Sequence, residues 1–148
     1  MNIFEALRED HEKQRTLSEI LVKTHGNSDG RDELFHKLKT ELKAHSAAEE
    51  RCFYKPLIEQ DVTQTHARHG IAEHHEMDEL IEQLENTEYS SPAWVSTAKK
   101  LREKILHHLD DEEHTIFQLA GKVLNDTQKT QMASAYQHAM EEHRNESA

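Results

Sequence analysis

The chain has 148 residues, the size of one compact unit, and carries 18 basic against 29 acidic side chains, a net charge of −11. That balance repels phosphate backbones and argues against a nucleic-acid partner; no apolar run approaches the roughly 18 residues of a membrane span. Cys52 is the only cysteine, which excludes an internal disulfide and a thiolate-only metal cage. The N-terminus is acidic without a signal-peptide core, so a cytoplasmic protein is expected.

Four Gly and two Pro are few for this length and favour long helices over turn-rich strands. The first helical pattern runs from about Asn2 to Thr24 and stops at the glycines of HGNSDG. The second begins near Asp32 and continues until Pro56 disrupts it. The third lies between Thr63 and Glu88, with Asp61 as its candidate N-cap. Ser91 caps the fourth, Pro92 takes its first position, and the pattern runs to Leu124. Asn125 and Asp126 open a last helix through His143, followed by a fraying NESA tail. The expected fold is all-α and a single domain over 1–148: an up-down-up-down four-helix bundle over 1–124, with an additional short C-terminal helix over 125–148.

An internal repeat supports two helical hairpins. His11 and His74 are 63 residues apart, as are His45 and His108, Glu49 and Glu112, Glu50 and Glu113, and Tyr54 and Phe117. Several leucine positions keep the same offset, Leu17 with Leu80 and Leu38 with Leu101 among them.

Thirteen histidines are the other compositional signal. His-x3-Glu recurs too often here to be diagnostic, so facing decides, at about 100° per residue. His45 and Glu49 project into the stripe of Leu38, Leu42 and Cys52. His108 and Glu112 project with Leu101, Ile105, Ile116, Leu119 and Val123, whereas His107 points away. His74 borders the face of Met77, Ile81 and Leu84, and His11 lies between Ile3, Phe4 and Leu7. His75/Glu79 and His138/Glu142 face solvent. Four imidazoles and two carboxylates therefore meet at one depth, where unpartnered carboxylates cost several kcal/mol. A bound cation compensates them, and His at i with Glu at i+4 reaches one ion or two adjacent ions. Imidazole with carboxylate suits Fe, Mn or Zn. Asp10, Glu73 and Asp78 are candidates to orient the imidazoles from outside. Tyr54, Phe117, Met77 and Cys52 read as core residues, with the Tyr54 hydroxyl a candidate hydrogen-bond donor to a metal-bound ligand. The nine other histidines have no common inward register and read as a solvated face.

The segments DHEKQR, HSAAEERCFY, AEHHEMDELI and HHLDDEEHTIF, one per helix and in that order, resemble the hemerythrin-like HHE cation-binding domains over residues 1–124. The resemblance implies a non-haem di-iron centre with His11, His45, His74 and His108 as terminal ligands. Glu49 and Glu112 would bridge the irons beside an oxo or hydroxo group. The oxygen-carrying members have a fifth His one turn from the third-helix ligand, where this chain has Gly70 and Asp78. They also have an Asp where this chain has Glu113. The expected function is binding or handling of oxygen, peroxide or nitric oxide in stress response or sensing. The alternatives are a di-iron enzyme of peroxidase, catalase or oxidase type, or a structural metal-binding bundle. Expected partners are a diatomic gas or peroxide, with the chain a monomer or weak homodimer.

Overall fold

In the computed structural model, which describes residues 1–147, the chain is helical from end to end. Helix α1 spans Ile3–Leu21, α2 Asp29–Glu49, α3 Lys55–Ile58, α4 Gln64–Glu85, α5 Pro92–Asp111, α6 Phe117–Val123 and α7 Asp126–Ser147. Two π-helical turns, π1 (Glu50–Tyr54) and π2 (Glu112–Ile116), join α2 to α3 and α5 to α6 without a break. The bundle therefore consists of four rods, α1, α2–π1–α3, α4 and α5–π2–α6, each antiparallel to the next.

Local chemistry sets the ends. Asn2 and Glu5 form a reciprocal capping box, the side chain of each accepting the other's backbone N–H at 2.9 and 3.0 Å. Gly26 takes a left-handed turn at φ 51°, and the Ser28 hydroxyl then accepts the Arg31 N–H to start α2. Ser91 caps α5 and Pro92 opens it, as predicted. Pro56 does not end the second rod. It sits in the first turn of α3, and the π turn before it carries the chain through. Asp61 caps nothing; Thr63 precedes α4, and its hydroxyl instead donates to the Leu57 carbonyl at 2.7 Å.

Two apolar clusters fill the bundle. One holds Ile3, Leu7, Phe53, Tyr54, Leu57, Ile116 and Phe117; the other holds Leu21, Leu38, Leu42, Ile81, Leu84, Trp94, Leu101 and Ile105. Along every rod the proposed polar ligands lie between them. The last helix is not short: α7 has 22 residues, runs through Ser147, and packs on α1 and α2 with Tyr136 and Met140 buried. The Ala148 end of the predicted tail lies outside the described residues.

The π turns also correct the predicted faces. Each inserts a residue, so the inward register beyond it slips by one. Ala120 and Leu124 are buried where Leu119 and Val123 were expected, and Cys52 turns half outward.

Trp94, fully buried, donates its indole N–H to the Leu84 carbonyl at the end of α4 at 3.1 Å. Trp94→Ala should cost about 3–5 kcal/mol, read as a lower denaturant midpoint at constant slope. Metal content should be unchanged, because Trp94 lies in the cluster away from α7.

Candidate metal centre

The six predicted residues converge between the two clusters. His11 comes from α1, His45 and Glu49 from α2, His74 from α4, His108 from α5 and Glu112 from π2, and none is more than 3% exposed. Their ligand-type atoms fall into two groups, His11, His45, Glu49 and Glu112, and Glu49, His74 and His108. Within each group all atoms lie within 4.8 Å of one another, and Glu49 belongs to both.

Each imidazole is held from outside through Nδ1. His11 Nδ1 donates to Glu113 at 2.6 Å, His74 Nδ1 to Glu50 at 2.8 Å, and His108 Nδ1 to Glu73 at 2.8 Å. His45 Nδ1 donates to the Tyr136 hydroxyl at 2.6 Å, which donates on to Asp10 at 2.6 Å. Arg144 then donates to the other oxygen of Asp10 at 3.0 Å. An Nδ1–H fixed this way leaves the Nε2 lone pair facing inward, the tautomer a metal ligand needs.

The two repeats cross. His11 is held by Glu113 of the second half and His74 by Glu50 of the first. Inside, His11 Nε2 approaches Glu112 at 3.1 Å and His74 Nε2 approaches Glu49 at 3.2 Å. His45 and His108 lie 3.4 and 3.5 Å from Glu49 and Glu112 on their own helices.

The inner atoms fit a cation. All four Nε2 atoms, both oxygens of Glu49 and Oε1 of Glu112 are buried without a hydrogen-bond partner; Gln14 Nε2 and Arg102 Nε complete that set among the described residues. Buried polar atoms are nearly always satisfied, so seven orphans aimed at one space mark a group that neutral imidazoles and carboxylates can hold together. Without it, protons take that part. Burial pushes the His11 imidazole down, but Glu112 and Glu113 outweigh it and raise it to about 9. Burial likewise opposes His74, which Glu49 and Glu50 raise to about 10. Glu49 is held well below its usual range, burial being overcome by His45 and His74.

Three outer groups escaped the sequence reading. Glu50 and Glu113 each follow a buried Glu, but the register change that brings them to an imidazole on another rod is invisible at 100° per residue. Tyr136 lies on the last helix, outside the 63-residue repeat and the four motifs that marked the other site residues. Of the three predicted orienting residues, Glu73 touches His108 directly, Asp10 acts through Tyr136, and Asp78 does neither. Asp78 lies near the surface, 4.0 Å from Lys43. Tyr54 is more than packing: its hydroxyl donates to Glu112 while its ring stacks on His74 at 5.5 Å between centroids. A Cβ on Gly70 would lie 2.5 Å from that hydroxyl oxygen, so the glycine one turn before His74 is what admits the tyrosine. The nine remaining histidines stay outside this layer.

The chain belongs to the hemerythrin HHE cation-binding domain family, whose sequence pattern matches residues 2–120. Membership and the two His/Glu groups together give it a metal cofactor. Its fold is similar to the crystal structure of a hemerythrin HHE cation-binding domain-containing protein from Mycobacterium kansasii, with a TM-score of 0.88 and 23% identity. The match covers 99% of this chain and 89% of that one. A protein from Nostoc sp. named DNA nickase is 27% identical over 139 residues; the match takes in 94% of this chain but 39% of that protein.

The pKa values fix how the metal-free protein responds to pH. Stability contributed by His11 and His74 is present in full below their ordinary 6.5 and lost as pH rises through about 9 and about 10. Burial raises Glu73 and Glu113, but His108 with Lys104, and His11 with Arg15, hold them at about 2. Their contribution is present above 4.5 and lost as pH falls through about 2. Thermal melts should place the most stable metal-free protein between pH 4.5 and 6.5. A midpoint that stays level through the alkaline limb would contradict the protonated imidazoles.

Proposed function

We propose that the six residues hold two iron ions, and that the protein binds or handles oxygen, peroxide or nitric oxide in a stress-response or sensing role. The observation that carries this reading is the set of seven inward atoms left without partners, divided into two groups that share Glu49. Two adjacent groups with a common carboxylate favour a pair of ions. A donor set of nitrogens and oxygens, with no thiolate, accepts iron and also manganese or zinc. When bound, such a pair supplies Lewis acidity and a change of oxidation state at positions the protein leaves open.

The residues of the chain set what reaches those positions. The cleft that runs to His108, Glu112 and Tyr54 has a volume of about 10 Å³, room for about one water-sized group. A wide groove of about 790 Å³ lies between α1 and α2, but none of the six lines it. That contrast favours a diatomic or peroxide ligand over an organic substrate. The Tyr54 hydroxyl, held on Glu112, stands at the inner end of the cleft as a proton donor.

No helix of the described residues is long and apolar enough to cross a membrane, and we propose a cytoplasmic monomer or weak homodimer. The activity named for the Nostoc protein belongs to a chain of which this one matches 39%, and a charge of −11 opposes a phosphate backbone. We therefore propose no nucleic-acid partner.

Protein expressed with added iron should contain iron and show near-UV absorption that changes with azide or peroxide. His74→Ala and Glu112→Ala should each lose most of the metal, and His107→Ala, at an exposed position, should keep it. Near-zero iron beside stoichiometric zinc would overturn the redox reading; variants that retain full metal would overturn the ligand assignment.

A further inference from the structure

A third group of ligand-type side chains lies outside the buried layer. His69 and Glu73 on α4 and Asp111 at the end of α5 bring ligand atoms within 4.8 Å of one another. His69 Nε2 is 3.5 Å from Glu73 Oε1. The same His-x3-Glu spacing at His138 and Glu142 is a solvated pair on one helix, with both side chains exposed. Here the carboxylate is buried, His69 is open to solvent, and the third member comes from a neighbouring rod.

What separates this group from a surface cluster is the space behind it. The narrow cleft is lined at its outer side by His69 and Asp111 and at its inner side by His108, Glu112 and Tyr54. His108 and Glu112, each of which carries an unpartnered buried atom, are among the residues of that inner side. Glu73 belongs to both ends, since its Oε1 accepts the His108 N–H at 2.8 Å and faces His69. Lys104, the nearest competing cation, sits on the other oxygen, Oε2, at 3.6 Å. The cleft's volume of about 10 Å³ admits one ion stripped of most of its water and excludes a hydrated one.

We propose that His69, Glu73 and Asp111 form a loading port, a transient divalent-cation site that captures the metal from solution, replaces part of its hydration shell and passes it along the cleft to the buried centre. The port rests on the reading of that centre as a metal site. Its ligands suit the role: two carboxylates draw the cation, one imidazole displaces water, and three donors hold it more weakly than the centre does. Glu73 meets His108 at Nδ1, the outer nitrogen, so handover runs past that contact along the cleft, whose lining continues from Glu73 to Glu112 and Tyr54.

Metal-free full-length protein mixed with ferrous ion under anaerobic conditions tests this, following both the rate of uptake and the final metal content. His69→Gln and Asp111→Asn should slow uptake about tenfold and reach the same final content. His75→Gln, an exposed neighbour on α4, should load at the wild-type rate. Added salt should slow the wild type more than Asp111→Asn, a response that mere loss of packing does not give. Equal rates in all four proteins would overturn the port and leave the centre standing. A lower final content in the two slow variants would make those residues part of the resident site and also overturn the port. A wild type that takes up no iron would remove the centre itself, and the port with it.

Discussion

Two carboxylates, Glu49 and Glu112, stand inside a helical bundle with no ammonium or guanidinium group within reach among the described residues. Desolvating them costs several kcal/mol each unless positive charge arrives with them. The rest of the structure follows from how that charge is supplied. Imidazoles surround the pair, outer acceptors keep every Nε2 turned inward, and apolar clusters on both sides exclude the water that would otherwise solvate the layer. Protons on His11 and His74 meet the requirement without metal. Cations meet it with neutral imidazoles, the form in which histidine is a ligand.

The repeat explains both the symmetry of the layer and where it fails. Asp10 and Glu73 occupy equivalent places 63 residues apart. Glu73 reaches its imidazole directly, whereas Asp10, one methylene shorter, reaches His45 only with the Tyr136 hydroxyl between them. Helix α7 therefore takes part in the site through the Tyr136 hydroxyl, with Arg144 behind it on Asp10. Tyr54 and Phe117 differ in the same way: at equivalent positions only one carries a hydroxyl, and only Glu112 has a phenol against it.

Most of this was legible in the sequence where periodicity and chemistry agreed. The rods, the hairpin repeat and all six inward residues follow from helical facing and from the cost of burying Glu49 and Glu112. What was not legible traces to departures from 100° per residue. The π turns begin beside Glu49 and Glu112 and move everything beyond them by one position, which misplaced Cys52, Leu119 and Val123 and hid Glu50 and Glu113. Side-chain reach was hidden too: Asp78 stood at a plausible spacing yet lies out of range of the layer. The length of α7 was underestimated because its surface is polar on most sides and its apolar stripe narrow.

The crossed anchoring has a mechanical meaning. Each hairpin supplies the brace for an imidazole of the other, so neither can assemble its share of the layer alone. Docking of the halves and construction of the site are then one cooperative event. An ion seated there acts as a rivet through the seam, and pulling the hairpins apart requires expelling it.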